Sequence, residues 1–125
     1  MQAYARFRRT SDQIPEARAF VRETLFRWGE TSTVDDVLLV ASELFTNAVL
    51  YGAGKIDVYV TLDPEALRIA VVDDGRRTPE RWPERVPNAT PGGRGLRIVD
   101  ALASTWGNNF DPAGRTRVWA EMPRG

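Results

Sequence analysis

Apolar positions along the chain follow two periods. From Pro15 to Leu50 they recur every three or four places; from Ile56 to Val72 and from Trp106 to Met122 they mostly alternate. The first period predicts helices and the second predicts strands. The longest apolar run, Val37 to Leu50, places Val37, Leu38, Ala41, Leu44, Phe45, Ala48 and Val49 on one helical face. Ser42, Glu43, Thr46 and Asn47 fall on the other face. The helix before it opens at Pro15, a residue favoured in a first turn, and stops at Gly29. Between the two, Ser32 or Thr33 precedes Asp35-Asp36, an expected cap and acidic first turn for the second helix, which ends at Gly52-Ala53-Gly54.

Strands are expected at residues 4–9, 55–62, 67–72, after Ser104-Thr105-Trp106-Gly107, and at 115–122. Asp63-Pro64-Glu65 and Asp111-Pro112-Ala113-Gly114 turn two of them into hairpins. Residues 76–91 break both periods, with Pro79, Pro83, Pro87 and Pro91 spaced by four. Neither a helix nor a central strand accommodates that spacing. Two readings are open for it: a functional surface loop or a proline-stiffened connector. Gly92-Gly93-Arg94-Gly95 then leads into a helix carried by Leu96, Ile98, Val99, Leu102 and Ala103. The expected order is βααββ, loop, αββ. That is one α+β domain over residues 1–125: a two-layer sandwich with a mostly antiparallel sheet and about three helices on one face.

Composition narrows the chemistry. The chain of 125 residues contains neither cysteine nor histidine. Disulfides, thiolate or imidazole metal sites, Ser-His-Asp triads and an internal phosphohistidine are therefore excluded. Net charge is zero, which argues against nucleic acid as the main partner. Lys55 is the single lysine, and Gly54-Lys55-Ile56 lacks the spacing of a Walker-type phosphate loop. No stretch has the length of a membrane span, and the start has no apolar signal region, so a cytoplasmic protein is expected.

Three polar elements remain, in chain order. Glu43 and Asn47 stack one helical turn apart, with Cβ atoms roughly 5–6 Å from each other. An amide oxygen suits magnesium, and a carboxylate one turn back can orient or deprotonate a nucleophile. The pair reads equally as the solvated side of an amphipathic helix. Asp73-Asp74-Gly75 leaves a strand, where a carboxylate can accept a hydrogen bond from an exocyclic amine and glycine lets a flat base approach. It also reads as ordinary turn chemistry. Gly92-Gly93-Arg94-Gly95 ahead of a helix is either an anion cradle or a flexible cap.

Taken together, Ser42-Glu43-Leu44-Phe45-Thr46-Asn47-Ala48-Val49, Val71-Val72-Asp73-Asp74-Gly75 and Gly92-Gly93-Arg94-Gly95-Leu96-Arg97-Ile98-Val99 resemble the N box and two glycine boxes of the ATPase superfamily that includes gyrase, MutL and the histidine kinases, with the Bergerat nucleotide fold. More closely, the chain resembles the anti-sigma-factor serine/threonine kinases of the RsbW and SpoIIAB type. The resemblance implies ATP and Mg2+ as ligands. It makes Asn47 the magnesium ligand, Asp73 the partner of the adenine amine, and Gly75 a wall of the adenine pocket. Gly93, Arg94, Gly95 and Leu96 would cradle phosphates, and Thr116 would face the adenine. Residues 76–91 would form a lid. Glu43 would be the catalytic base for a hydroxyl on a partner protein. The partners implied are a sigma factor and a STAS-type anti-sigma antagonist, with the sigma factor bound by a homodimer. The alternative is a non-catalytic ATP-binding interaction module. Two positions depart from the pattern: Arg77 replaces the last glycine of Asp-x-Gly-x-Gly, and Tyr51 stands where relatives often carry His or Arg.

Overall fold

The computed structural model describes residues 1–75 and 91–124, with side chains omitted for 91–96. The proline-rich segment read as a lid, including Arg77, lies outside the described residues apart from Pro91. The elements are β1 (Gln2–Phe7), a 3-10 turn (Ser11–Gln13), α1 (Ile14–Arg27), α2 (Val34–Tyr51), β2 (Ile56–Leu62), β3 (Ala66–Asp73), α3 (Pro91–Leu102), β4 (Thr105–Phe110) and β5 (Thr116–Pro123). This is the expected α+β order. The strands form one antiparallel sheet in the order β1-β2-β3-β5-β4.

Alternation along the strands separates the two faces of the sheet. Ile56, Val58, Val60 and Leu62 of β2, with Leu67, Ile69 and Val71 of β3 and Val118, Ala120 and Met122 of β5, are buried in the core. Val21 and Leu25 of α1, Leu44 and Phe45 of α2, and Val99 of α3 join the same cluster. Burial of such side chains contributes about 1.5–3 kcal/mol each, so this layer supplies most of the stability. Phe7 closes it at the β1 end, edge-on to Phe45 at 5.5 Å and to Phe20 at 6.2 Å.

Several expectations shift. The first strand runs over residues 2–7, leaving Arg8 and Arg9 beyond it. Thr33 is the N-cap of α2 but makes no side-chain capping bond. The polar side expected for α2 is only partly solvated: Asn47 is 2% exposed and Val40 is fully buried. The reason is packing. α1 and α3 both pack against α2, and the sheet lies beneath it, so the buried arc is wider than one amphipathic face. Gly92 to Gly95 do not precede α3 as a loop; their backbone is already helical, because the helix begins at Pro91.

The other face of the sheet holds a buried carboxylate. Asp57 of β2 is 1% exposed. It accepts hydrogen bonds from Tyr4 Oη (2.9 Å), Arg6 Nε (2.7 Å) and Nη2 (3.1 Å), and Arg115 Nη1 (2.7 Å). Burial pushes its pKa up, but the bonds from Arg6, Arg115 and Tyr4 outweigh that and bring it down to about 2. Arg115 is also held by Asp111, so β1, β2 and the β4–β5 turn are joined through this one group.

Candidate functional site

The C-terminal ends of α2 and β3 meet. α2 stops at Gly52, whose N–H donates to Ala48 O at 2.8 Å. The chain then folds back so that Asp74 N donates to Ala53 O at 2.9 Å. Asp73, with no solvent exposure, ends β3 inside this junction. Its Oδ1 accepts from Gly75 N at 2.7 Å and Ala53 N at 3.2 Å. Two backbone donors on one carboxylate oxygen fix its orientation.

Glycine is required around that carboxylate. A Cβ on Gly52 would lie 2.6 Å from Asp73 Cγ and 2.5 Å from Ala48 O. A Cβ on Gly75 would lie 2.8 Å from Asp73 Oδ1 and 3.1 Å from Gly52 Cα. Thr116 of β5 pairs directly with Asp73 across the sheet, is fully buried, and donates its hydroxyl to Gly75 O. Asp73, Gly75 and Thr116, singled out separately in the sequence, therefore form one cluster. Gly52 and Ala53 belong to it as well. Sequence reasoning used them only as a helix stop; the signal was two glycines in three residues after a long apolar helix.

Asn47 lies on α2 within two turns of Gly52. Among the described residues, neither its amide oxygen nor its amide nitrogen has a hydrogen-bond partner. Leaving buried polar atoms unmade costs about 1–3 kcal/mol each, so a packed helix position keeps such a group only when something else compensates. Glu43, half-buried, stands one helical turn before Asn47. Among the described residues no group of three or more His, Cys, Asp or Glu is placed to hold a metal. A metal here would need ligands beyond the protein's carboxylates, which suits magnesium, an ion that commonly takes one protein oxygen with phosphates and water. α3 packs against α2, and its backbone carries Gly93, Arg94, Gly95 and Leu96 in the first turns. Helix N-termini present unsatisfied N–H groups to anions.

A family model described as the histidine kinase-like ATPase domain matches residues 7–120. The chain belongs to this family. Membership implies an ATP site, and the fold agrees: a histidine kinase domain from the Erythrobacter litoralis EL346 blue-light activated histidine kinase is similar at 28% identity and a TM-score of 0.53, covering 74% of this chain and 45% of that one. The Acinetobacter baumannii histidine kinase AdeS shares the fold at 17% identity and a TM-score of 0.60, covering 98% of this chain and 68% of its own. The histidine kinase-like ATPase domain thus spans less than half of the first of these kinase structures. No curated protein matches it in sequence. Among the described residues, no helix of the domain is long and apolar enough to cross a membrane.

Proposed function

We propose that this ATPase domain is an ATP- and Mg2+-dependent serine/threonine protein kinase of the anti-sigma-factor type. It phosphorylates a STAS-type antagonist and binds a sigma factor. The observation that carries the nucleotide part is Asn47, a buried amide whose two polar atoms have no hydrogen-bond partner among the described residues. Asp73 accepts a hydrogen bond from the adenine amine, and Gly52 and Gly75, where a Cβ would strike its carboxylate, let the backbone close around it. Thr116 lines the same cluster. Asn47 holds magnesium, with Gly93, Arg94, Gly95 and Leu96 around the phosphates. Bound magnesium supplies charge neutralisation on the phosphates.

Glu43 is the general base. The acceptor hydroxyl loses its proton to Glu43 as its oxygen bonds to the terminal phosphorus, and the bond to the ADP oxygen breaks. An alcohol acceptor on another protein suits a chain with no histidine of its own. A protein partner also has a surface to meet: Phe26 and Leu39 are exposed beside Arg18 and Arg22 in a groove between α1 and α2. The second reading, a non-catalytic ATP-binding module, is favoured by one feature, Arg77 at the position of the last box glycine.

Labelled ATP, magnesium and a purified STAS-type antagonist distinguish the two. The kinase reading expects transfer to a serine or threonine of the antagonist. It also expects transfer to be lost in Glu43→Ala while ATP still binds. Intact ATP binding with no transfer to any antagonist establishes the module instead.

A further inference from the structure

The face of the sheet away from the helices carries a groove of about 370 Å3. Its floor is Ala70 and Val72 of β3, both buried, and its sides include Tyr59, Asn109, Phe110 and Arg117. Two arginines reach it, and they differ. Arg115 is neutralised twice, by Asp57 and Asp111. Arg117 is half-buried and has no carboxylate or carbonyl partner among the described residues; the strongest electrostatic influence on it from a neighbour is another cation, Arg68, with Tyr59 acting more weakly in the opposite sense. Burial and Arg68 both hold its pKa below the usual arginine value. Arg68 is itself engaged, by Glu121 and by the ring of Trp119 at 5.5 Å.

A partly desolvated guanidinium facing an apolar floor wants an anion, and its planar fork matches a carboxylate. The surroundings select among anions. Arg115 is already held by Asp57 and Asp111, so among the described lining residues Arg117 alone offers a guanidinium fork, which matches a single carboxylate. The volume lies near the low end of small-ligand cavities, about 300–1,000 Å3. We propose that this groove binds a small monocarboxylate with an aromatic or branched apolar body, its carboxylate on Arg117 and its body on Ala70, Val72, Tyr59 and Phe110. The site is separate from the nucleotide cluster, because strand alternation turns Arg117 to one face while its neighbour Thr116 turns to the other.

The test is chemical-shift mapping of the isotope-labelled full chain with benzoate, phenylacetate and isovalerate, each against its primary amide. The acids are expected to shift the Arg117 side-chain N–H and the backbone signals of Asn109 and Phe110 saturably, with the amides about tenfold or more weaker. Arg117→Gln, which keeps the stem, is expected to weaken the acids by about tenfold or more, while Arg27→Gln, at an exposed position on α1, changes nothing. Equal response to acids and amides, no response from folded protein, or unchanged affinity in Arg117→Gln overturns the proposal. A response only to an acidic peptide also overturns it, in favour of a protein-docking face.

Discussion

Two buried polar groups, Asp57 and Asn47, sit in different layers of this molecule and are treated in opposite ways. Asp57, on the open side of the sheet, is saturated by Tyr4, Arg6 and Arg115. Asn47, in the helical layer, has no hydrogen-bond partner for either amide atom among the described residues. A saturated buried group ties elements together and has no capacity left for a ligand. An unsatisfied one destabilises the fold by itself and has all its capacity left. Burial alone therefore does not mark a functional residue; what sets Asn47 apart is that both of its amide atoms lack partners among the described residues.

The sharpest test of that contrast is at Asp73, a buried carboxylate anchored by backbone donors. Asp73→Asn keeps an oxygen for Gly75 N and Ala53 N but removes the charge. Calorimetry is expected to show ATP affinity reduced by about 2–3 kcal/mol, with a melting temperature close to the parent. Unchanged affinity would detach Asp73 from the nucleotide. Next is the space beside it. Gly52→Ala forces a Cβ against Ala48 O and Asp73 Cγ, with an expected stability loss of about 1–3 kcal/mol and weaker ATP binding by denaturant titration and calorimetry. Gly29→Ala meets nothing within 4 Å, so its cost is only that of a left-handed backbone, about 1 kcal/mol, with ATP binding unaltered.

Asp57 sharpens the other side of the comparison. Asp57→Asn leaves Arg6 and Arg115 without their shared anion, and both reach solvent, so a loss of about 1–3 kcal/mol is expected, with ATP affinity unchanged. Its titration has a definite sign. The folded carboxyl ionises at about 2, below the ordinary value of an unfolded aspartate, so the unfolded chain binds more protons between them. The stabilisation from Asp57 is complete above about pH 4 and is lost as pH falls towards 2. The stability gap between parent and Asp57→Asn should therefore shrink over that interval; a gap constant down to pH 2 contradicts the network. The smallest effect belongs to the exposed Arg8–Asp12 pair at 3.5 Å, where Arg8→Ala is expected to change stability by under about 0.5 kcal/mol.

Most of the fold was legible because its elements obey simple periods. β2, with Ile56, Val58, Val60 and Leu62 inward, is a clean alternation, and α1 and α2 are bounded by Pro15, Gly29 and Gly52. What could not be read was whatever depends on two neighbours at once. Asn47 looked like one edge of a polar helix side because α3, which packs against α2, comes much later in the chain. Asp57 gave no signal of its own: its partners lie 51 to 58 residues away. Gly52 was visible as a helix stop, while its contact with Asp73 depends on β3 ending beside it. The site residues were found as three separate signals; the closeness of Asp73, Gly75 and Thr116 is a product of strand pairing.

The most direct measurement is ATP titration, in magnesium buffer, of the parent chain and Asn47→Leu, with melting temperatures recorded for both. An apolar side chain of similar size removes the unsatisfied amide. The account predicts saturable heat for the parent, none for Asn47→Leu, and a melting temperature for the variant equal to or above the parent's. Equal ATP affinity in the two proteins, or a parent that is folded and takes up no ATP, contradicts it.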